Sequence, residues 1–313
     1  MQHYQSISDI NLEGSWIAIG IFDGVHLGHQ SIINNLVAGA LQAGFPSVVL
    51  TFFPHPKKVL HGVSGQFYLT SPTERAELIG NLGVDYVITQ LFDEKFSKTS
   101  GSAFMNKLHT NLKIKKLNVG IDFALGRDRE GNINVLKNIG KELGYSVNVI
   151  KPKSLNGSVI SSSAIREKLL DGNVKYAREL LGHPYQVDGE VIPGDGRGRL
   201  IGIPTANMDV WGEKLLPKSG VYACDVLLEG SVFGAVTNIG IRPTFESKSL
   251  ITRVETHILN LDDDLYGKKL RLKFLGRLRD EIRFENVDQL VEQILLDIES
   301  AKGIIKVERE GEL

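Results

Sequence analysis

Two histidines three residues apart, His26 and His29, stand in the run Gly20-Ile21-Phe22-Asp23-Gly24-Val25-His26-Leu27-Gly28-His29. A short apolar run at 16–20 precedes them, and a helical apolar pattern follows from His29. The pair therefore marks a strand-to-helix junction and shares one helical face. Gly24 and Gly28 let a ligand approach the backbone, while the free N–H groups and dipole of a helix start favour phosphate, a field to which imidazole donors add. A metal would also accept two histidines, but no third ligand lies close in sequence. Thr51-Phe52-Phe53-Pro54-His55-Pro56 follows a second strand candidate and puts His55 at a pocket edge. Further on, 119–131 ends a strand in glycine and then presents Asp122, Phe123, Gly126, Arg127 and Arg129. An acid, an aromatic and two arginines suit a flat ring with its phosphate. Ile160-Ser161-Ser162-Ser163-Ala164-Ile165-Arg166 is a second anion site: hydroxyls and free amides at a helix start, with arginine in the first turn. An ordinary serine cap accounts for one of those serines.

The second half carries different chemistry. Pro193-Gly194-Asp195-Gly196-Arg197-Gly198-Arg199 is a cationic glycine loop, followed by Gly202-Ile203-Pro204-Thr205-Ala206-Asn207. It is neither a Walker A sequence nor a dinucleotide fingerprint, because spacing and strand–helix context are missing. Gly194, Gly196 and Gly198 can expose backbone amides to phosphate, with Arg199 beside them. Thr205 and Asn207, two apart, project oxygens to one side of an extended segment. Alternation over 252–258 sets Arg253, Glu255 and His257 on one face, which makes Glu255 available as a general base. Taken alone, a surface glutamate is the plainer reading.

These groups need a scaffold. In the first half, β-branched or apolar runs at 48–53, 86–88, 116–119 and 147–150 alternate with helical patterns at 29–44, 102–108 and 133–143. Ser71-Pro72-Thr73-Glu74 starts another helix, with a cap, a proline at the first turn and a glutamate to reach back. This rhythm predicts an α/β domain with a mostly parallel sheet and ligands at the carboxyl ends of its strands. Two small helices, 163–170 and 173–181, close the region, and the boundary is expected at Gly182-His183-Pro184, giving domains 1–182 and 183–313. Beyond it the period becomes 2. Strand-like runs at 185–191, 221–228, 232–237, 252–259 and 269–275 without intervening helices predict an antiparallel barrel or sandwich. A last helix at 287–298, introduced by Asn286, is expected across the barrel, and 307–313 as a frayed tail.

Composition narrows the classes. With 36 Lys and Arg against 37 Asp and Glu, a net charge of −1 offers no broad footprint for nucleic acid or a membrane surface. The single cysteine, Cys224, excludes an internal disulfide or a thiolate cluster and fits a reducing compartment. The first fifteen residues are polar, so no secretory signal is expected, and no run reaches the length of a membrane span. The expectation is a cytoplasmic protein acting on small molecules, with no obligate protein partner indicated.

The four first-half segments, taken in order, resemble the bacterial bifunctional riboflavin kinase/FMN adenylyltransferase family, also called FAD synthetase, and the likeness covers nearly the whole chain. His26 and His29 match the His-x-Gly-His marker of nucleotidyltransferases. The resemblance implies that this motif, with Ser161, Ser162 and Arg166, holds ATP phosphates during adenylyl transfer. Phe22, Asp23 and Gly24 match the approach to the histidines, and Asp122-Phe123 with Gly126-Arg127 matches a flavin-side loop. In the second half, Pro204-Thr205-Ala206-Asn207 matches the kinase signature; Asn238 to Phe245, with Arg242, matches a second marker; and Glu255-Thr256-His257 with Asp264 to Gly267 matches a third. The implied fold there is a six-stranded antiparallel barrel. Thr205 and Asn207 are implied to bind Mg²⁺ with ATP, and Glu255 to accept the proton of riboflavin. Riboflavin, FMN and ATP are the implied substrates. Ile203 replaces a frequent aromatic and Asn260 a frequent aspartate, and neither removes a catalytic group. The alternatives are another small-molecule nucleotidyltransferase with an appended barrel, or a non-catalytic flavin- or nucleotide-binding module. The Pro-Thr-Ala-Asn and Glu255 set argues against the first, while saturable flavin binding without ATP turnover would favour the second.

Overall fold

The computed structural model describes residues 1–243 and 250–310, without the side chains of 197, 241–243, 250 and 251. Arg242, expected at the kinase site, and Thr244-Phe245 of its motif therefore lie outside the described side chains and residues. The chain divides into two compact units, Met1–Ser162 and Ser163–Leu313. That division falls two helices before the expected domain boundary at 182/183.

The first unit alternates strands and helices: β1 (Gln2–Tyr4), β2 (Ser15–Ile19), α1 (Leu27–Ala43), β3 (Ser47–Phe53), α2 (Pro56–His61), α3 (Pro72–Gly80), β4 (Tyr86–Leu91), α4 (Glu94–Ser97), α5 (Gly101–Leu112), β5 (Ile114–Gly120), α6 (Ile133–Leu143), β6 (Ser146–Ile150) and a small hairpin of β7 (Ser154–Leu155) and β8 (Ser158–Val159). The main sheet has the order β1-β4-β3-β2-β5-β6, and every pairing in it is parallel. The pleat sends Ile17 and Ile19 into one core with Val48, Leu50, Leu117 and Val119. Ala18 goes to the opposite face with Val49, Val87 and Leu36 of α1. A sheet buried on both faces explains why β3 reads as one apolar run. Ser71 and Glu74 form the expected capping box, and Gly44 ends α1 in the left-handed region at φ +69°. β1 escapes sequence reading because three mostly polar residues carry no alternation; it is held by pairing with β4.

The second unit opens with α7 (Ser162–Leu170) and α8 (Val174–Leu181), the latter capped by Asn173 and stopped by Gly182 as expected. Then follow β9 (Tyr185–Ile192), α9 (Arg197–Leu200), β10 (Ala206–Val210), β11 (Gly220–Leu228), β12 (Ser231–Pro243), β13 (Leu250–Ile258), β14 (Lys269–Arg279) and α10 (Val287–Glu310). The six strands close into a barrel, β10-β13-β12-β11-β14-β9, with antiparallel pairings. In β14, Leu270, Leu272 and Phe274 are buried while Lys269, Arg271 and Lys273 face outward. One expectation is corrected: α10 does not stop at residue 298 with a frayed tail from 307, but runs to Glu310. Its later turns have their own apolar seam, Ala301 and Ile305, packed on Val221, Ala223, Val236 and Leu275. Gly303 obscured that continuation, because a glycine inside a helical pattern reads as a stop.

Candidate active sites

In the first unit the strand ends of β2 and β3 build a cradle around the histidines. After β2 the backbone turns through Phe22 (φ +52°), Gly24 (φ +84°) and Val25 (φ +42°), so the loop is held in a conformation side chains ordinarily avoid. Asp23 supports it: its buried carboxylate accepts hydrogen bonds from the backbone N–H groups of Leu69 and Thr70, at 3.1 and 3.0 Å, and from the Thr70 hydroxyl at 3.0 Å. Asp23, expected to bind ligand, thus has both carboxylate oxygens engaged within the loop scaffold. Its carbonyl accepts from the Ser162 hydroxyl at 2.9 Å, which ties the serine segment to the histidine loop. Ser161 is half-buried beside it. Arg166 lies one turn further along α7, half-buried, on the second-unit side of the division.

His26 is the N-cap of α1, and its Nδ1 accepts the His29 backbone N–H at 3.3 Å. An accepting Nδ1 carries no proton, which places the ring proton on Nε2. The His26 and His29 rings stack with centroids 3.5 Å apart, and Phe22 meets His29 edge-on at 5.2 Å. Burial, then the His26 ring, then the Arg75 guanidinium push the His29 pKa well below 6.5. The pair therefore offers donors from neutral imidazoles, not two cations. His29 Nδ1 is buried and has no hydrogen-bond partner among the described residues. Gly28 keeps the approach narrow, since a Cβ there would sit 3.1 Å from the His26 ring.

Arg75 is one residue that sequence reasoning missed. It is fully buried in α3, and its Nη1 donates to the carbonyls of Ile21 and Phe52 and to the Thr51 hydroxyl at 3.0–3.1 Å. One cation thereby holds the carboxyl ends of β2 and β3 together. Its only sequence signal is its place directly after the capping-box Glu74. His55, as expected, lies at the end of β3, but its Nδ1 accepts the Lys57 N–H at 3.0 Å as the cap of α2, and its ring meets Phe67 edge-on.

The flavin-side segment lines an open cavity of about 610 Å³ bordered by Asp122, Phe123, Arg129 and Asn132. Arg129 Nη2 donates to the Asp122 carbonyl at 2.9 Å. Arg127 is not among the lining residues; its side chain is exposed and 3.9 Å from Asp128. Gly126 has a packing role: a Cβ there would lie 2.4 Å from the Gly101 nitrogen.

In the second unit, register builds the site. Asn207 of β10 pairs with Glu255 of β13, and Glu255 pairs on its other side with Asn238 of β12. Thr205, Asn207 and Glu255 face one cavity of about 270 Å³ with Gly196 and Gly198 of the glycine loop. Gly194 approaches so closely that a Cβ would stand 2.0 Å from Asn207 Nδ2. Arg199 is exposed on the short α9. His257 Nδ1 donates to the Pro204 carbonyl at 2.8 Å and so braces the Pro-Thr-Ala-Asn segment. Asp195, Asn238, Gly240, Arg253 and Glu281 also line it; of these, sequence reading gave Arg253 no part beyond sharing a face with Glu255. Among the described residues no group of three His, Cys, Asp or Glu is arranged to hold a metal ion. Thr205 and Asn207 still fit Mg²⁺, because a hydroxyl and an amide oxygen are hard donors and Mg²⁺ fills its shell with phosphate oxygens and water.

Comparison with known proteins accounts for both halves. A family model described as FAD synthetase matches residues 8–164, and one described as riboflavin kinase matches 181–305. The bifunctional riboflavin kinase/FMN adenylyltransferase of Haemophilus influenzae is 35% identical over 97% of this chain and 99% of its own. The Listeria monocytogenes protein of the same name is 35% identical over 92% of this chain and 91% of its own. A crystal structure from Streptococcus pneumoniae described as a macrolide-efflux protein superposes with a TM-score of 0.87 at 31% identity, covering 96% of this chain and 98% of that one. In the present chain no helix among the described residues is long and apolar enough to cross a membrane. With family models and full-length relatives in agreement, the chain belongs to the bifunctional riboflavin kinase/FMN adenylyltransferase family.

Proposed function

We propose that the chain makes FAD from riboflavin in two ATP-dependent steps, one in each half, with functional domains 1–182 and 183–313. The observation that carries the reading is the pairing of Glu255 with Asn207, which brings a carboxylate and a neutral oxygen-donor pair into one cavity at the start of the kinase half. There Glu255 accepts the proton of the riboflavin 5′-hydroxyl as that oxygen attacks the γ-phosphorus of ATP. Thr205 and Asn207 are the residues to hold Mg²⁺, which when bound neutralises phosphate charge. The amides of Gly194, Gly196 and Gly198, with Arg199, cradle the phosphates.

In the adenylyltransferase half, an FMN phosphate oxygen attacks the α-phosphorus of ATP and pyrophosphate leaves. Both reactants are anions, so the work is approximation and electrostatic stabilisation, with no covalent enzyme intermediate. His26 and His29, donating from neutral rings, and Arg166 stabilise charge growing on the leaving pyrophosphate. Ser161, Ser162 and the loop Phe22-Asp23-Gly24 shape that site. Asp122 and Phe123 border the flavin, with Arg129 a better-placed neighbour than Arg127. A cytoplasmic setting, with ATP at hand and thiols reduced, suits the single buried Cys224. Chromatography of products from riboflavin, ATP and Mg²⁺ tests the whole reading: FAD is expected, and an end point of no flavin product or of FMN alone overturns it.

A further inference from the structure

Arg253 lines the kinase cavity without a part in the chemistry just described. Its Nη1 lies 3.4 Å from an oxygen of Asp195 in the glycine loop and 3.9 Å from Glu255 Oε1 two residues along β13. Across the ladder its partner is Gly240, which has no side chain. The space so left is taken by Glu281, whose Oε1 would be 2.5 Å from a Cβ at Gly240. Among the described lining residues there are thus three carboxylates, Asp195, Glu255 and Glu281, and one guanidinium, Arg253. That balance is unfavourable for a site that must accept a triphosphate, and one cation between two of the three acids offsets most of the repulsion at the loop.

We propose that Arg253 is a positioning residue of the kinase site: its guanidinium joins Asp195 to Glu255, fixes the glycine loop against β13, and screens both carboxylates from the incoming nucleotide phosphates. The proposal rests on the assignment of Glu255, Thr205 and Asn207 to the kinase step. A side chain that only stabilises the barrel would change folding and both kinetic constants alike. A charge-balancing clamp instead acts mainly on nucleotide binding, and its loss is repaired by removing the charge it screened.

The test is steady-state riboflavin kinase kinetics of the full chain, with thermal unfolding of the same preparations to report folding of the barrel and FMN adenylylation to report the other half. Arg253→Met is expected to raise the KM for ATP about tenfold, the scale of one charge interaction in a partly exposed site, with a smaller change in kcat. Arg253→Lys keeps the charge without the fork and should lie between. Adding Asp195→Asn to Arg253→Met should recover at least half of the lost affinity on a logarithmic scale. A KM for ATP within twofold of the parent in both Arg253 variants, or no recovery in the double variant, overturns the proposal. Full kinase activity in Glu255→Gln would instead overturn the site assignment beneath it, so the two failures are distinguishable.

Discussion

Asn207 and Glu255 are direct cross-strand partners in the barrel, and Asn238 faces Glu255 from the other side, so three adjacent strands present one polar row. The neighbours Val254 and Thr256 are buried on the opposite face. Slipping β13 by one residue would bury the carboxylate, so the hydrophobic pattern of the barrel itself fixes the base in the cavity. Glu255→Gln preserves shape and removes the proton acceptor. Its riboflavin kinase rate should fall by about 10²–10⁴-fold. Adenylylation of supplied FMN should stay within twofold of the parent. A kinase assay with riboflavin and an adenylylation assay with FMN, run in parallel, check both halves of the expectation.

Gly194 provides a second handle on the same row. A methyl group there would meet the Asn207 amide at 2.0 Å, and that amide is the end of a rotatable side chain. Gly194→Ala should therefore cost little stability but turn Asn207 away from the cavity. The expected outcome is a kinase rate reduced by about tenfold or more, a thermal midpoint within a few degrees of the parent, and a steeper requirement for Mg²⁺. An unchanged Mg²⁺ dependence would remove Asn207 from the proposed metal site.

Much of this was legible in the residues, and the exceptions have physical causes. The capping box at Ser71, the glycine stop at Gly44 and the alternation in β14 are local signals, and all appear in the structure. β10 was read only as an extended motif, since five residues following a glycine loop carry little pattern until β9 and β13 supply their partners. Arg75 was invisible for a similar reason. A single arginine on a helix looks solvated, and only the tertiary fold directs it at the carbonyls of Ile21 and Phe52. The same holds for Arg253, which shares its cavity with Glu281 because Gly240 has no side chain. Motif spacing pointed to candidate groups for the chemistry; the groups that position them are recruited across the fold.

His26 serves two ends, which can be separated. Nδ1 caps α1, and in the proposed function the ring also donates to phosphate. Asparagine can cap a helix through its side-chain oxygen but has a shorter reach than imidazole. His26→Asn should retain the parent thermal stability and lose adenylylation by about 10²-fold or more. His26→Ala should lose the same activity and also about 1 kcal/mol of stability, the usual value of a cap. Denaturant unfolding of both variants beside their adenylylation rates distinguishes the roles, while equal stability in the two would deny the capping contribution.

His29 makes the fold of the first unit sensitive to acid. Burial, the stacked His26 ring and the Arg75 cation hold its pKa well below the ordinary 6.5. In the unfolded chain the same ring takes up a proton near pH 6.5, so below that pH the unfolded state binds more protons than the folded one. The stabilisation is therefore complete above about pH 6.5 and is lost as pH falls toward the depressed folded value, with a limiting slope of about 1.4 kcal/mol per pH unit for one group. His29→Gln removes the titration. Thermal midpoints measured from pH 8 to 5 should fall less steeply below pH 6.5 in that variant than in the parent, with riboflavin kinase activity at pH 7.5 reporting that the rest of the chain is intact. Parallel curves for the two proteins would mean that His29 is not held neutral by its surroundings, and would also remove the physical basis for assigning it a neutral donor's part in adenylyl transfer.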